Sequence, residues 1–268
     1  MTVEQHIAHR GKWEGQNSPN SFETFRLYGE GVEADVMLLN DGKTLAVGHP
    51  GDWGAKDAFV ESMSPEEFAK LKVNSDGKAD GAAPFFTEYV AGCYDRGIQP
   101  TFEIKGSNTE AAVRVARLII EKLKDMQAEG AFKVRGEEHP ELLEQMGLHS
   151  MTVEAVAEAK QAMEETGLRL KLGFSWLSSL EHTRADPVAA SAERFHREGD
   201  SWESSGLRAA KELGCDYVFL VEPSKITDEL VAEAHGLGLE LYIFIRATDN
   251  TPALRAKLLA MKVDKLLY

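Results

Sequence analysis

The feature that most constrains the fold is a regular alternation of short apolar β-like runs with amphipathic helical segments. Strands that alternate with helices indicate parallel βαβ units. Eight strand candidates follow one another along the chain, at His6–His9, Gly31–Leu38, Pro100–Lys105, Leu148–Ser150, Leu168–Phe174, Asp216–Val221, Leu239–Ile245 and Lys265–Tyr268. We therefore predict an α/β protein, a (β/α)₈ TIM barrel, and keep an open doubly wound sheet as the alternative.

The expected barrel is a single domain over residues 1–268 with a small hairpin or loop insertion after the second strand. Helix starts can be recognised between the strands. Ser64-Pro65-Glu66-Glu67 has the spacing of a capping box with Pro at the first helical position. Asn108, Thr227 and Thr251 each precede a further amphipathic segment and are predicted N-caps.

Charge limits the kind of partner that this chain can bind. With 44 acidic and 30 basic residues, the formal net charge is −14. Nucleic acids and anionic lipid surfaces require clustered Lys and Arg, so we expect neither a nucleic-acid partner nor stable membrane association. A small anionic molecule remains compatible if the chain provides a locally positive or metal-bearing pocket. The oligomeric state is left open.

The cysteines and the chain start predict a cytoplasmic protein. Cys93 and Cys215 have no metal-binding spacing and are predicted to be buried, reduced thiols. The first residues, MTVEQHIAHRG, lack the basic and apolar regions of a signal peptide. No run approaches the roughly 18 apolar residues of a membrane helix.

Charged residues lie where an apolar strand would be expected to exclude them. Glu33 and Asp35 are two residues apart, so they point to the same face of the second strand. The C-terminal strand ends of such a barrel carry its chemistry, and Glu103 lies near the end of the third strand. Three converging carboxylates suit a hard cation, Mg²⁺ or Ca²⁺. The alternative is that these acids only form ion pairs with Arg10 and Lys105.

The turn after the second strand determines where His49 points. If Asn40–Gly42 is a three-residue loop closed by glycine, Leu39 pairs with Lys43. That register places His49 directly opposite Glu33, on the same face. A two-residue Asp41-Gly42 loop would shift the register by one residue and turn His49 to the other face.

Several motifs in a fixed order now suggest a family. These are His9-Arg10-Gly11, Asn20-Ser21-Phe22-Glu23-Thr24-Phe25, Glu33-x-Asp35, Asp41-Gly42, His49 and Glu103-Ile104-Lys105. Together they resemble the glycerophosphodiester phosphodiesterase family, and residues 215–244 are similar to its sixth and seventh barrel strands. The resemblance covers almost the whole chain. It implies a (β/α)₈ barrel and metal-assisted hydrolysis of a small-molecule glycerophosphodiester to glycerol phosphate and an alcohol.

The resemblance also implies roles for individual residues. It makes Glu33, Asp35 and Glu103 ligands of one divalent cation, His9 and His49 the acid–base pair, and Arg10 and Lys105 contacts to the phosphate. Arg246, at the outgoing end of the seventh strand, is a further candidate for binding an anionic group of the substrate. Packing or a surface ion pair explains Arg246 equally well.

Departures from the family leave other functions open. The family usually has Asp after the second histidine and Trp-Thr in the seventh strand, where this chain has Pro50 and Phe244-Ile245. The alternatives are a phospholipase D-like or sphingomyelinase D-like phosphodiesterase acting on a lipid, and a non-catalytic phosphodiester-binding barrel. The segment 176–202, with His182, Arg184, Arg194 and His196, is predicted to be a polar surface loop or a substrate lid.

Overall fold

Strands supply the centre of the molecule. The structure, a computed structural model, describes residues 6–11, 31–49, 60–75, 78–134, 137–177, 179–186 and 189–268. The strands in these ranges are β1 (His6–Ala8), β2 (Gly31–Leu38), β3 (Leu45–Val47), β4 (Lys72–Ser75), β5 (Lys78–Ala82), β6 (Pro100–Ile104), β7 (Lys133–Val134), β8 (Glu137–Glu138), β9 (Gly147–Ser150), β10 (Lys171–Trp176), β11 (Tyr217–Leu220), β12 (Glu240–Phe244) and β13 (Lys265–Leu267).

Helices alternate with the longer parallel strands. The α-helices in the described ranges are α1 (Pro65–Phe68), α2 (Phe86–Asp95), α3 (Thr109–Ala128), α4 (Val153–Thr166), α5 (Leu180–Ala185), α6 (Trp202–Leu213), α7 (Asp228–Gly236) and α8 (Pro252–Ala260). Short 3₁₀ helices cover His9–Gly11, Val60–Ser62, Pro140–Gln145, Ala190–Phe195 and Pro223–Lys225.

Eight parallel strands close into a barrel. Their order around the barrel is β1, β2, β6, β9, β10, β11, β12 and β13. The ring closes because Ile7 of β1 lies opposite both Gly31 of β2 and Leu267 of β13. This confirms the predicted (β/α)₈ TIM barrel and excludes the open sheet.

Strand β2 extends beyond the ring and begins the insertion. It pairs in parallel with β1 and β6, and its last residues pair with the antiparallel strand β3. The short helix α1 and the β4–β5 hairpin follow β3 before α2 resumes the barrel pattern. The predicted insertion after the second strand is therefore present.

The alternation of residues in β2 separates the two faces of the barrel wall. Val32, Ala34 and Val36 are fully buried in the main hydrophobic core, which lies between strands and helices. Glu33 and Asp35 alternate with them and consequently face the barrel interior. On the outer layer, α3 packs its predicted apolar face inward, namely Ala112, Val115, Ala116, Ile119, Leu123 and Met126.

A second group of buried residues fills the other side of the barrel interior. This aromatic cluster consists of Ile7, Tyr217, Phe219, Tyr242 and Leu267. The rings of Tyr217 and Tyr242 stack with centroids 4.4 Å apart. Gly173 makes room for this packing, because a Cβ atom there would lie 2.1 Å from the Tyr217 ring.

Most predicted element starts are confirmed. Ser64 forms the capping box, and the side chains of Asn108, Thr227 and Thr251 each accept a hydrogen bond from the first turn of their helices. The fifth barrel strand starts at Lys171, three residues later than predicted. Helix α4 continues to Thr166 and ends on a left-handed Gly167, so residues 168–170 serve as the connection to the strand.

Two findings bear on the environment of the protein. Cys93 and Cys215 are buried free thiols, as predicted. In the described part of the chain, none of the helices combines the length and apolar character needed to cross a membrane.

Candidate functional site

Three carboxylates meet at the C-terminal end of the barrel strands. Asp35 of β2 lies opposite Glu103 of β6, and Glu33 precedes Asp35 on the same face. Glu33 and Asp35 are 1% exposed, and the Glu103 side chain is 14% exposed. One oxygen from each of the three lies within 4.8 Å of the others. The structure thus brings together the three acids that the sequence selected.

Two cations lie beside these acids. The Arg10 Nε atom is 3.1 Å from Asp35 Oδ2. The Lys105 Nζ atom is 2.7 Å from Glu103 Oε1 and 3.5 Å from Asp35 Oδ1. The ion pairs weighed in the sequence analysis are therefore formed. They leave three carboxylates facing two cations, so pairing alone does not balance the cluster.

Arg10 also contacts the cluster through its main chain. Its backbone adopts the left-handed conformation, with φ 52° and ψ 26°. That conformation costs a residue with a side chain about 1–2 kcal/mol. Here the Arg10 backbone N–H donates to Glu33 Oε2 at 3.0 Å. The strained residue thus binds one acid with its backbone and another with its guanidinium group.

The carboxylates titrate differently because their neighbours differ. Burial, reinforced by the charges of Asp35 and Glu103, raises the pKa of Glu33 well above its ordinary value. Burial would also raise the pKa of Asp35, but Lys105 and Arg10 hold it well below the usual range. Lys105 likewise outweighs burial and lowers the pKa of Glu103. In Glu33, burial and the neighbouring carboxylates therefore outweigh the hydrogen bond from the Arg10 backbone and the charge of Arg10.

The carboxylates fit a divalent cation. Glu33 Oε1 is buried and has no hydrogen-bond partner among the residues that the structure describes. A buried carboxylate oxygen without a partner is costly, and a metal ligand bond would satisfy it. Carboxylate oxygens are the donors that Mg²⁺ and Ca²⁺ prefer. Glu33, Asp35 and Glu103 are therefore suitable ligands for such an ion.

His9 lies at the edge of the carboxylate cluster. Its Nε2 atom is 3.8 Å from Glu33 Oε2, and its side chain is 30% exposed. The ring of Phe244 packs edge-on against it, with centroids 4.7 Å apart. Desolvation, followed by the charge of Arg10, lowers the pKa of His9 to about 4. The imidazole is therefore neutral near pH 7 and can accept a proton.

The β2–β3 hairpin adopts the second of the two registers considered, since Val36 lies opposite Val47 and Leu38 opposite Leu45, but its loop is longer than either expectation. Leu39 donates its backbone N–H to the carbonyl of Thr44, not Lys43, so the loop has four residues. The Asp41 carboxylate is the physical reason, because it accepts hydrogen bonds from the backbone N–H groups of Lys43 and Thr44 and from the Thr44 hydroxyl. These bonds hold one more residue in the turn than a loop closed by glycine requires.

His49 nevertheless lies near the acids. Strand β3 ends at Val47, and the Gly48 N–H still donates to the Asp35 carbonyl, so His49 directly follows the last backbone hydrogen bond to β2. Burial raises the pKa of Asp35, whereas Lys105, Arg10 and then His49 lower it, so His49 lies within electrostatic range of Asp35. The electrostatic effect on Asp35 thus supports the proximity of His49 to the acids, although His49 is not paired opposite Glu33.

Other predicted candidates lie away from the carboxylates. The Arg246 side chain is exposed on the loop after β12. In the segment 176–202, Arg184 pairs with Glu193 and Arg194 pairs with Glu154 on the surface. These pairs favour the polar-surface interpretation over a lid. The Asn20–Phe25 motif and Pro50 lie outside the described residues.

A cavity of about 200 Å³ opens beside the cluster. Its charged wall consists of His9, Arg10, Glu33, Glu103 and Lys105. The rest of its wall is mostly apolar and consists of His149, Met151, Ser175, Trp176, Leu177, Phe219, Val221, Phe244 and Leu267. The two walls could hold an anionic group and an organic group side by side.

His149 is a site residue that the sequence analysis did not select. It is 2% exposed on β9, and its Nδ1 atom lies 2.7 Å from the Ser175 hydroxyl. Burial lowers its pKa to about 4. The fourth strand candidate was short, but the alternation in Gly147-Leu148-His149-Ser150 puts His149 on the interior face. This interior position is the sequence feature by which His149 could have been selected.

Solved structures share this fold. A Galdieria sulphuraria protein provisionally described as a glycerophosphodiester phosphodiesterase is 17% identical, with a TM-score of 0.69 over 98% of this chain and 92% of that one. Glycerophosphodiester phosphodiesterases from Agrobacterium tumefaciens and Thermotoga maritima are each 16% identical, with TM-scores of 0.61 and 0.59 over 98% of this chain and 96% and 93% of theirs. The barrel fold is shared. No family model and no curated protein matches the sequence.

Proposed function

We propose that this protein is a metal-dependent phosphoric diester hydrolase that converts a glycerophosphodiester to glycerol phosphate and an alcohol. The observation that carries the proposal is the buried cluster of three carboxylates, flanked by Arg10, Lys105 and His9, at the C-terminal end of the barrel. Chemistry in (β/α)₈ barrels occurs at that end. The fold shared with several glycerophosphodiester phosphodiesterases agrees with this reaction.

Positive charge is the first requirement, because a phosphodiester is an anion that repels a nucleophile. Arg10 can bind two phosphoryl oxygens with its planar fork, and Lys105 supplies a point charge. Bound to Glu33, Asp35 and Glu103, Mg²⁺ or Ca²⁺ would supply further positive charge to neutralise the phosphoryl oxygens. Arg10 would exchange part of its contact with Asp35 for the substrate, since its guanidinium group has several donors.

Proton transfer is the second requirement, and it falls to His9 and His49. One histidine removes the proton of the attacking hydroxyl, and the other protonates the leaving alkoxide. Imidazole suits both roles because a ring nitrogen can accept a proton and, once protonated, donate it. The two groups flank the carboxylates, with His9 at 3.8 Å from Glu33 and His49 within electrostatic range of Asp35.

The size of the cavity favours a small substrate. About 200 Å³ is less than the roughly 300–1,000 Å³ typical of sites for larger ligands. A glycerophosphodiester headgroup suits this volume better than a lipid with acyl chains. Arg246 is proposed as a secondary anion contact. Cytoplasmic location and a role in glycerol or lipid metabolism remain predictions from the sequence.

The test is the release of glycerol phosphate from glycerophosphocholine and glycerophosphoethanolamine, with Mg²⁺, with Ca²⁺ and with EDTA. We expect metal-dependent release that is lost in His49→Ala and His9→Ala. Glu165→Gln is a matched control, because it removes an exposed carboxylate that pairs with Arg117 outside the cavity.

The opposite results are equally informative. Full activity in EDTA would remove the metal from the proposal. No release from either substrate, while Mg²⁺ or Ca²⁺ still raises the melting temperature of wild type and not of Glu33→Gln, would overturn the proposed glycerophosphodiesterase activity and leave a metal-binding barrel.

A further inference from the structure

A buried histidine with one unsatisfied nitrogen lines the cavity. His149 lies opposite Glu103 on one neighbouring strand and Gly173 on the other. Its Nδ1 atom pairs with the Ser175 hydroxyl, and its ring rests against Phe219 with centroids 4.6 Å apart. Its Nε2 atom is buried without a hydrogen-bond partner among the described residues. Buried polar atoms are rarely left this way, so a partner is expected from outside the protein.

The carboxylate centre does not supply that partner. Among the described residues, the side-chain atoms close enough together to share an ion belong to Glu33, Asp35 and Glu103, and no His149 nitrogen is among them. His149 does line the same cavity as Glu33 and Glu103. A substrate whose phosphate lies against the charged wall would therefore extend a neighbouring group toward His149.

The hydrogen bond to Ser175 restricts which chemical group fits. If the Ser175 hydroxyl donates to Nδ1, then Nε2 carries a proton and donates; if Nδ1 donates, then Nε2 accepts. A hydroxyl is both a donor and an acceptor, so it satisfies Nε2 in either tautomer. A phosphate oxygen would satisfy only one. The surrounding Met151, Phe219 and Val221 would pack against the carbon atoms that carry the hydroxyl.

We propose that His149 determines specificity by binding a hydroxyl of the substrate through Nε2, and that Ser175 positions its ring. The inference rests on the proposed function, since it assigns the organic side of the same cavity. It predicts that polyol phosphates are preferred over alkyl phosphates of equal length.

The test measures binding and does not require turnover. Calorimetry with Mg²⁺ present compares glycerol 3-phosphate with n-propyl phosphate, which has the same carbon chain and no free hydroxyl. We expect wild type to bind glycerol 3-phosphate at least about tenfold more tightly, because the alkyl ligand leaves Nε2 unpaired. In His149→Phe we expect the two affinities to agree within about threefold, with n-propyl phosphate binding as in wild type.

Two further variants separate this role from a structural one. His196→Phe is the matched control, because His196 also pairs with a serine hydroxyl, that of Ser205, but does not line the cavity. It should keep the full preference. Ser175→Ala leaves the imidazole in place and removes its hydrogen bond, so the preference should fall about three- to tenfold even if His149→Phe does not fold.

Each contrary result is distinct. Equal binding of the two phosphates by wild type, or a preference that persists in both His149→Phe and Ser175→Ala, would overturn the inference. A preference that depends on His149 in a protein that releases no glycerol phosphate would support the inference and overturn the proposed hydrolysis.

Discussion

The barrel interior buries two kinds of side chain, charged groups around the carboxylates and large rings in the aromatic cluster, and the energetic effect of burial differs between them. On the charged side, burial removes hydrating water from five charged side chains, those of Glu33, Asp35, Glu103, Arg10 and Lys105. Their ion pairs offset only part of the desolvation free energy. On the other side, the aromatic cluster buries large rings that gain from leaving water. The comparison indicates that the aromatic cluster stabilises the barrel, whereas the charged side contributes less to stability and contains the residues of the proposed reaction.

The largest effect on stability is expected from removing the carboxylate of Asp35. Asp35→Asn removes the carboxylate that both cations contact, so the partly buried Arg10 loses its ion pair with Asp35 and Lys105 keeps its pair with Glu103. We expect a loss of about 3–5 kcal/mol in the free energy of unfolding. Urea unfolding would measure it. Asp95→Asn is the control, because its pair with Arg96 is exposed and should contribute less than about 1 kcal/mol. Equal, small losses would show that the charged side is not electrostatically coupled.

The neighbouring acid should respond in the opposite way. Glu33→Gln replaces a carboxyl group whose ionisation is disfavoured by burial and by the charges of Asp35 and Glu103, so in EDTA the variant should be as stable as wild type or more stable. Hydrolysis should fall at least about 100-fold, because the phosphate loses positive charge opposite it. Kinetics and melting temperatures, with and without Mg²⁺, would check both. A variant that is less stable in EDTA and still active would contradict the proposed role.

The same pair of proteins gives a prediction for pH. The pKa of Glu33 is raised on folding, so the stability linked to its proton is complete below the ordinary carboxyl pKa and is lost as the pH rises through the folded value. Glu33→Gln cannot titrate. In EDTA, the variant's stability relative to wild type should therefore increase as the pH rises above the ordinary carboxyl pKa. Parallel curves would show that Glu33 is ionised in the metal-free protein.

On the aromatic side, a single methyl group should matter. Gly173→Ala would push Cβ against the Tyr217 ring, which is fully buried and stacked, and we expect a cost of about 1–3 kcal/mol. Gly236→Ala is the matched control at the end of α7, where nothing lies within 4 Å of the new atom. It should be neutral or slightly stabilising. Denaturant midpoints would distinguish the two.

The smallest effects concern two tyrosine hydroxyls. Tyr217 Oη is buried without a hydrogen-bond partner in the described ranges, whereas Tyr242 Oη donates to Glu240 Oε2 at 2.7 Å. Tyr217→Phe should therefore be neutral or stabilising by less than about 1 kcal/mol, and Tyr242→Phe should cost about 1 kcal/mol. Thermal unfolding at high precision would measure both changes in stability. A larger loss for Tyr217→Phe than for Tyr242→Phe would contradict the expectation.

Much of the fold was accessible from the sequence because its signals are local. Eight strand runs and several capped helices predicted the barrel, and each cap lies within a few residues of the groups it bonds. The convergence of Glu33, Asp35 and Glu103 also followed, since parallel strands in a closed barrel bring their C-terminal ends together.

What the sequence missed depended on side-chain hydrogen bonds. The hairpin register turned on whether the Asp41 carboxylate would bind Thr44, and turn statistics based on Gly42 do not include that bond. His149 was missed for a similar reason. Its significance comes from the contact with Ser175 on the next strand and from an unpartnered nitrogen, which only a three-dimensional arrangement reveals.

The backbone conformation of Arg10 has a consequence for chemical protein synthesis. Side-chain scanning at this position removes the guanidinium contact to Asp35 but keeps the amide that binds Glu33. Replacing that one amide by an ester would do the reverse, because an ester oxygen cannot donate. A semisynthetic barrel with a single altered main-chain atom would thus separate two contacts that no genetically encoded substitution at residue 10, proline excepted, can separate.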